Sequence, residues 1–170
     1  MPIVVFDLEG VLIDNSERLN YALRAVNAKS IEELHGYKRG KFWKIFMSLN
    51  LARRMDKVND YGLRLLSEKS QKYRIAIVSG TIRRIGLYQL ELIKRRAKEL
   101  NLYIKIDSVF LRPERTRIKA VAFKESILRL LMLEDTVVEI HDDNEDVIEM
   151  AKKYKIRGIL WRNLRPVSHS

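Results

Sequence analysis

Acidic and small polar residues follow three apolar runs of the sequence, at the point where each run ends. They are Asp7 and Glu9 after the first run, Ser79, Gly80 and Thr81 after the second, and Asp142 and Asp143 after a later one. If one fold gathers these carboxylates, they repel one another unless a cation neutralises them, and hard oxygen ligands favour Mg²⁺. A carboxylate beside that ion can attack phosphorus. The residue types therefore predict Mg²⁺-dependent phosphoryl transfer onto Asp7.

The hydroxyl-bearing segment fits a phosphate site. Between a strand and the next helix, Ser79 can offer its hydroxyl and neighbouring backbone N–H groups to phosphate oxygens. A Ser-Gly pair alone is a weak signal, because such pairs occur in many loops. Its position directly after an apolar run favours the functional interpretation. His141 precedes the acidic pair, but strand alternation directs it away from Asp142, so we interpret His141 as structural.

The elements that must position these residues alternate between strands and helices. Buried strands are predicted at 3–6, 75–78, 137–140 and 158–161, with a weaker fifth strand within 103–111. Helices are predicted at 19–26, 87–100, 119–133 and 147–154. This alternation predicts a doubly wound parallel α/β sheet with right-handed crossovers. Ligands bind outside the carboxyl ends of the strands in such sheets, where the acidic residues fall.

The first crossover, from 14 to about 73, is longer than one helix requires, and its pattern predicts three helices. We therefore expect a single domain over 1–170 with a helical insertion or small cap at 14–57. Within it, the stretch 35–50 mixes lysine and arginine with Tyr37, Phe42 and Trp43, which suits a lid or a helical brace. Core packing is the favoured role for these aromatic residues.

Composition limits the possible compartments and partners. The chain has no cysteine, which excludes a thiolate metal site or a disulfide frame and favours a reducing compartment. With neither signal-peptide features nor an apolar run of membrane length, we expect a cytoplasmic protein without a membrane partner. The formal charge of +11 favours an anionic partner, although a charged thermophile surface is the alternative explanation. Nothing in the sequence indicates an oligomeric state.

The order of these motifs resembles the haloacid-dehalogenase-like hydrolases. The resemblance consists of Phe-Asp-Leu-Glu-Gly-Val-Leu, then Ile-Val-Ser-Gly-Thr, then a lysine, then Asp-Asp, and it spans 3–162 apart from the inserted helices. It implies a magnesium-dependent phosphatase acting through an aspartyl-phosphate. The implied roles are nucleophile for Asp7, metal ligation for Asp7, Asp142, Asp143 and the backbone carbonyl of Glu9, phosphate binding for Ser79, and charge balance for a lysine. Lys124 is chosen over Lys119, because its apolar neighbours match the family's lysine at a helix start.

One position departs from the family pattern. Most phosphatases of the family have Asp as the general acid and base where this chain has Glu9, and the extra methylene changes the reach of proton transfer. The run Asp-Leu-Glu-Gly-Val-Leu is similar to a branch that acts on phosphoserine and passes phosphoryl to homoserine. We therefore expect retained chemistry, with phosphotransfer on a small metabolite such as phosphoserine as an alternative.

Two segments are similar to the phosphatase domain of phage-type polynucleotide kinases, which removes 3′-phosphates from nucleic acids. They are 110–117, followed by Lys124, and 141–150. The resemblance implies that Arg112 and Arg115 meet substrate phosphates, beside Ser79, Gly80 and Thr81. An excess of positive charge fits such a substrate, because neutralising phosphates releases counterions. A hypothesis of another class is a basic nucleic-acid-binding protein on a catalytically weakened scaffold, with Glu9 as the mark of lost activity.

Overall fold

The computed structural model of the protein describes residues 1–167 and has a six-stranded sheet at its centre. The strands in chain order are β1 (Ile3–Phe6), β2 (Ile13–Asp14), β3 (Lys57–Val58), β4 (Arg74–Ile82), β5 (Ser108–Arg112), β6 (Val137–Asp142), β7 (Arg157–Arg162) and β8 (Arg165–Pro166). The central sheet has the order β5-β4-β1-β6-β7-β8, parallel except for β8. The chain leaves β1 towards β4 and β5 and returns to β6 on the other side of β1. The strand order therefore reverses between β1 and β6, where ligands bind in such sheets.

Helices cover both faces of this sheet. The helices are α1 (Ser16–Ala25), α2 (Gly36–Phe46), α3 (Leu49–Met55), α4 (Asp60–Ser70), α5 (Arg83–Glu99), α6 (Ala120–Glu134) and α7 (Glu145–Lys153). Val4 and Phe6 of β1 pack with α4 and α5, whereas Ile3 and Val5 pack with α6 and α7. This alternation follows from the two-residue period of a strand. The predicted doubly wound α/β architecture is confirmed.

The inserted helices form a unit with an apolar cluster of its own. The cluster joins α1, α2 and the short 3₁₀ turn Ile31–Glu33, and its buried members are Ala22, Leu23, Val26, Ala28, Leu34 and Phe42. The antiparallel strands β2 and β3 pair at its base, with Asp14 opposite Lys57. The chain thus leaves and rejoins the main fold at one place, next to the predicted boundaries at 14 and 57.

Several local predictions need correction. The first crossover contains four helices instead of three, because α4 packs on the sheet in addition to the three inserted helices. Strand β4 continues to Ile82 through a register shift after Ser79, so the expected turn directly after 78 is wrong. The fifth strand is confined to Ser108–Arg112. Within residues 1–167, no helix combines the length and apolar character needed to cross a membrane.

Candidate active site

The pairing of β1 with β6 brings two aspartates to the same edge of the sheet. Phe6 lies opposite His141 in the register, and the backbone N–H of Asp7 donates to the His141 carbonyl at 3.0 Å. Asp7 and Asp142 are therefore neighbours, and both are buried. Asp143 joins them, so that one carboxylate oxygen from each of the three lies within 4.8 Å of the others.

The turn after β1 leaves room for the third acid. Gly10 has a φ of +87°, a backbone conformation that glycine adopts without strain. A side chain at Gly10 would also collide with Asp143, because a Cβ atom there would lie 2.2 Å from Asp143 Oδ2. Both constraints require glycine, so the tight turn and the acidic cluster depend on the same residue.

A single lysine contacts the two buried acids. Lys124 extends from α6 and places its Nζ 2.6 Å from Asp142 Oδ2 and 3.2 Å from Asp7 Oδ2. Burial alone would lower the pKa of Lys124, but the carboxylates of Asp7 and Asp142 outweigh this effect and raise it. Lys119 is instead exposed, immediately before α6. The structure thus places Lys124, the lysine chosen from the sequence, within the cluster.

One ammonium group does not balance three carboxyl groups. Burial raises the pKa of Asp7, repulsion from Asp142 raises it further, and Lys124 only partly opposes them. Asp143 is exposed, unlike the other two acids, but partial desolvation of its carboxyl raises its pKa to about 6, again with repulsion from Asp142. A divalent cation supplies the missing positive charge, and three clustered carboxylates are the oxygen donors that Mg²⁺ prefers. The donor set therefore fits the metal that the sequence predicts.

The segment after the second apolar run lies beside these acids. Ser79, Gly80 and Thr81 all line the same cavity as Asp7. The Ser79 hydroxyl donates to Thr81 Oγ1 at 3.0 Å and accepts from the Thr81 backbone N–H at 3.1 Å. A Cβ atom at Gly80 would lie 2.8 Å from Ala120 Cβ, so glycine lets α6 approach β4. Because α5 begins at Arg83, the backbone at Ser79 is strand and not the helix start that we expected.

Glu9 is held by donors from three other elements. Thr81 donates its hydroxyl to Glu9 Oε1 at 2.7 Å, and Gln89 donates its amide to Oε2 at 3.1 Å. Arg18 pairs with Oε2 through its guanidinium group. The Glu9 carboxyl acts as an acceptor in all three contacts. Its side chain lines the cavity but is not part of the three-acid cluster found among residues 1–167.

Arg18 is a site residue that the sequence analysis missed. It is 1% exposed, binds Asp56 with Nε–Oδ1 and Nη2–Oδ2 distances of 2.9 and 3.1 Å, and donates from Nη1 to the Phe46 carbonyl. Its guanidinium also stacks 4.4 Å from the centre of the Phe46 ring. Burial raises the pKa of Asp56 although Arg18 opposes this effect. In the sequence, Arg18 stands out only by its position within the apolar pattern of α1. An arginine in such a position cannot be distinguished from an ordinary surface arginine.

The two arginines predicted to bind substrate have different positions. Arg112 lines the cavity and donates from Nε to the Gly80 carbonyl at 2.9 Å. Arg115 is exposed in the loop after β5, has a φ of +57°, and does not line the cavity. The structure therefore brings Arg112 to the site and leaves Arg115 outside it, so its predicted role does not follow from this geometry.

The cavity above the acids has a volume of about 390 Å³ and two different walls. Its floor consists of the acids, Lys124 and the Ser79–Thr81 segment. Its apolar lining comes mainly from the insertion, with contributions from β4 and α5, and consists of Leu19, Ile31, Trp43, Phe46, Met47, Ile82 and Ile85. Such a cavity suits a ligand with an anionic group at one end and an apolar or aromatic group at the other.

His141 packs next to the site, on the face of β6 opposite Asp142. Its Nδ1 accepts the indole N–H of Trp161 at 3.0 Å, so the ring proton is on Nε2, which lies 2.5 Å from Glu139 Oε1. Burial lowers the pKa of His141, and the hydrogen bond with it lowers the pKa of Glu139 to about 2. Phe6 stacks on the imidazole with ring centres 4.4 Å apart. The ring thus packs on the face opposite Asp142, as strand alternation predicts.

Comparison with solved structures identifies the fold. A haloacid dehalogenase-like family hydrolase from Streptococcus pneumoniae matches with a TM-score of 0.65 and 14% identity over 94% of this chain and 84% of that chain. A family enzyme from Bacteroides thetaiotaomicron, in complex with magnesium and inorganic phosphate, matches with a TM-score of 0.56 and 14% identity over 99% and 98%. No family model and no curated protein matches the chain. At these identities the matches show the fold.

A third match comes from a larger assembly. A chain of the Pnkp1/Rnl/Hen1 RNA repair complex matches with a TM-score of 0.57 and 18% identity over 94% of this chain and 42% of that chain. All three matches have TM-scores above 0.5 and cover at least 94% of this chain. The fold is therefore that of the haloacid-dehalogenase-like hydrolases, as the sequence resemblance predicts.

Proposed function

We propose that the protein is a Mg²⁺-dependent phosphomonoester hydrolase that works through an aspartyl-phosphate at Asp7. The observation that carries this proposal is the cluster of Asp7, Asp142 and Asp143 around buried Lys124, at the point where the strand order reverses. Two buried carboxyl groups and an exposed third, with one ammonium between the buried two, destabilise the fold unless they bind a cation. Cation binding for catalysis explains why the chain has such a cluster of acids.

The proposed reaction has two steps. An oxygen of Asp7 attacks phosphorus, the ester P–O bond breaks, and the leaving oxygen takes the electron pair and a proton from Glu9. Water then attacks the phosphorus of the aspartyl-phosphate, Glu9 takes a proton from it, and the Asp7–phosphorus bond breaks to release phosphate. Lys124 balances charge on the phosphoryl oxygens throughout, together with the Ser79 hydroxyl. Bound at the three aspartates, Mg²⁺ would supply Lewis-acid neutralisation of the same oxygens.

A nucleic-acid 3′-phosphate is the substrate that these observations favour. The formal charge of +11 attracts polyanions, and Trp43 and Phe46 add aromatic rings to the lining of the cavity. One chain of similar fold belongs to an RNA repair complex. Arg112 lines the cavity, where its Nε and Nη1 donate to the Gly80 and Ile118 carbonyls and its Nη2 can donate to a second phosphate.

Phosphate release in the presence of Mg²⁺ tests the proposal. We expect turnover by the wild type and none by Asp7→Asn, which keeps the shape of the side chain but removes its nucleophilic carboxylate. The substrates are 3′-phosphorylated oligonucleotides, phosphoserine, sugar phosphates and nucleotides. Equal turnover by the two proteins contradicts the covalent mechanism, and a preference for phosphoserine contradicts the nucleic-acid substrate.

A second candidate function is nucleic-acid binding without catalysis. The contacts of Glu9 favour it, because Arg18, Gln89 and Thr81 all donate to the carboxyl that has to give up a proton in the first step. Salt-dependent oligonucleotide binding, with no phosphate released from any substrate, is the expected result for this candidate. Phosphate release that depends on Asp7 excludes it.

A further inference from the structure

The buried side of α5 contains one polar side chain, that of Gln89. The buried residues of this helix are Ile85, Gly86, Gln89, Leu90, Ile93 and Ala97. The amide Nε2 of Gln89 donates to Glu9 Oε2 at 3.1 Å and to Asp56 Oδ2 at 2.9 Å. Gln89 does not line the cavity above the acids. Any influence of Gln89 on the proposed reaction must therefore act through the residues that it contacts.

The carbonyl oxygen of this amide has no partner. Within residues 1–167, Gln89 Oε1 is the one buried side-chain oxygen or nitrogen that lacks a hydrogen bond. Turning the amide over would direct this oxygen at the carboxylates of Glu9 and Asp56, so the two acids fix the orientation of the amide. An unpaired buried carbonyl destabilises a fold, and an apolar side chain of similar size would not have one. The contacts of the N–H groups, and not stability, therefore account for an amide at this position.

Gln89 and Arg18 hold the same oxygen of Glu9 from different parts of the fold. Arg18 Nη2 bonds Glu9 Oε2 and, at 3.1 Å, Asp56 Oδ2, which are the two oxygens that Gln89 Nε2 also bonds. Arg18 belongs to α1 of the insertion, whereas Gln89 belongs to α5, which packs on the sheet. Gln89 is thus the contact that fixes Oε2 relative to the main fold, in which Asp7 lies.

The other oxygen of Glu9 has a different kind of partner. Oε1 accepts the Thr81 hydroxyl at 2.7 Å, and Thr81 lines the cavity together with Asp7. A hydroxyl can donate or accept, whereas guanidinium and amide nitrogens only donate. A proton on Oε2 would meet donors alone, but a proton on Oε1 can be accepted by Thr81, whose hydroxyl then turns to Ser79 Oγ at 3.0 Å. The donor set therefore restricts the acidic proton of Glu9 to Oε1.

We propose that Gln89 is a positioning residue for proton transfer by Glu9, an inference that rests on the proposed function. By holding Oε2, Gln89 keeps Oε1 beside Thr81, from where Oε1 gives its proton to the leaving oxygen. The Oε1–H bond breaks as the proton passes over, and its electron pair stays on Glu9. In the second step, the attacking water returns a proton to the same oxygen.

This anchor also accounts for a glutamate at position 9. Glu9 has one more rotatable bond than the aspartate that is usual at this position in the resembling family, so its carboxyl has more rotamers to choose from. Proton transfer is efficient only when the donor oxygen is held in the productive geometry. Gln89 supplies the restraint that the longer side chain requires.

Steady-state kinetics of Gln89→Met with two classes of ester test this assignment. Methionine has nearly the volume of glutamine but no N–H group. One substrate is the alkyl ester that the wild type hydrolyses fastest, whose leaving oxygen needs a proton. The other is p-nitrophenyl phosphate, whose leaving oxygen departs without one. We expect Gln89→Met to lower kcat/KM for the alkyl ester about tenfold more than for p-nitrophenyl phosphate, because kcat/KM covers only the steps up to breakage of the ester bond.

The Tm and a control variant separate positioning from packing. Loss of the unpaired carbonyl offsets loss of the amide's hydrogen bonds, so the Tm of Gln89→Met should stay within about 4 °C of the wild type. The control is Ser67→Ala, because the buried hydroxyl of Ser67 bonds the Tyr103 carbonyl and neither residue lines the cavity. Any change of kcat/KM in Ser67→Ala should be the same for both esters.

Thr81 provides a second test at the same carboxyl. Thr81→Val keeps the shape of the side chain but removes the hydroxyl, so it should show the same dependence on the leaving group as Gln89→Met. Thr81→Ser keeps the hydroxyl and should recover most of kcat/KM for the alkyl ester. Equal losses in these two variants would contradict the restriction of the proton to Oε1, whether or not Gln89→Met folds.

A crystal structure of Gln89→Met reports on Glu9 without any turnover. We expect the Glu9 carboxyl to leave Thr81 or to occupy more than one rotamer, while Arg18 keeps its pair with Asp56. An equal loss of kcat/KM with both esters, or a Glu9 carboxyl that stays in place, would overturn the assignment. If the wild type releases no phosphate from any ester while Glu9 moves in the variant, the hydrolase proposal fails and the positioning of Glu9 by Gln89 stands.

Discussion

At the scale of single residues, the site is defined by an excess of negative charge around one ammonium group. Lys124 contacts Asp7 and Asp142, while Asp143 has no basic partner of its own within residues 1–167. Removing a partner from a buried ion pair is costly, because the remaining charge stays out of water. A bound cation and Lys124 therefore both neutralise these carboxylates. Each should partly replace the other's contribution to the free energy of unfolding, but not its contribution to catalysis.

Lys124→Met tests this shared task. Without metal, the variant should lose about 3–5 kcal/mol of unfolding free energy, since two buried carboxyl groups lose their counter-ion. Added Mg²⁺ should raise its Tm by more than it raises the Tm of the wild type, while phosphate release stays low. Denaturant unfolding with EDTA and with Mg²⁺ measures both effects. An equal Mg²⁺ response in the two proteins is evidence against a cation at these acids.

The pH dependence of stability provides a second measurement at this scale. The pKa of Asp143 is raised to about 6, above its ordinary value of about 4. An acid whose pKa is raised on folding stabilises the folded state most when the pH is below its pKa in the unfolded chain. This contribution is lost as the pH rises through its pKa in the folded protein. The metal-free protein should therefore lose stability between about pH 4 and pH 6. The loss should be smaller in Asp143→Asn and in the wild type with Mg²⁺; identical profiles in all three would contradict the assignment.

At the scale of elements, Arg18 joins the insertion to the rest of the fold. From α1 it reaches Glu9 after β1, Asp56 before β3 and the carbonyl of Phe46 at the end of α2. Gln89 of α5 bonds both Glu9 and Asp56, which ties the network to the sheet layer. The position of Glu9 thus depends on how the inserted helices pack.

Arg18→Met should cost about 3–5 kcal/mol of unfolding free energy, because it leaves the carboxylates of Asp56 and Glu9 without their common cation. The matched control is Arg24→Met, an exposed arginine six residues further along α1, for which we expect a change within about 0.5 kcal/mol. Urea denaturation of both variants measures the difference. Similar losses in the two proteins would show that Arg18 acts only as a helix residue.

The elements differ in how well the sequence predicts them. The strands β1, β6 and β7 were located because their apolar runs end at clear polar boundaries. Strand β4 was predicted too short, since Ser79-Gly80-Thr81 has the composition of a turn although pairing with β5 continues to Ile82. Strands β2 and β3 have two residues each, too few for any periodic pattern. Their pairing depends on contacts 43 to 45 residues apart that composition does not encode.

The site residues also differ in how well the sequence predicts them. The acids follow from motif order, because each lies next to a strand end that the sequence marks, whereas Lys124, within the first turns of α6, follows from the family resemblance. The partners of Glu9 do not, because Arg18, Asp56 and Gln89 lie on three helices or their ends and meet only through tertiary packing. Arg115 was predicted to meet substrate from a local resemblance, yet its side chain is exposed outside the cavity. Local similarity located the loop but not the direction of its side chains.

At the scale of the whole molecule, the apolar residues form separate clusters. Two clusters lie on the two faces of the sheet, and a third lies within the insertion around Phe42. The insertion contacts the main fold at the β2–β3 pair, through the Arg18 network, and through a fourth apolar cluster in which Ala52 of α3 packs against Ile82 and Ile85. A segment with a small core of its own can open without global unfolding. The cap at 14–57 stays a prediction, and its independent opening is a testable property.

Phe42→Ala should separate the insertion from the sheet. Deleting a fully buried phenylalanine costs about 3–5 kcal/mol, and Phe42 packs within the insertion's own cluster, so the inserted helices should open while the sheet stays folded. Hydrogen exchange should then show lost protection in α1 and α2 and retained protection in β1, β4 and β6. Leu66→Ala is the control, because Leu66 packs in the core of the sheet and its loss should lower protection everywhere. Uniform loss of protection in Phe42→Ala would show that the insertion and the sheet unfold as one unit, and a cap that opens independently would then be excluded.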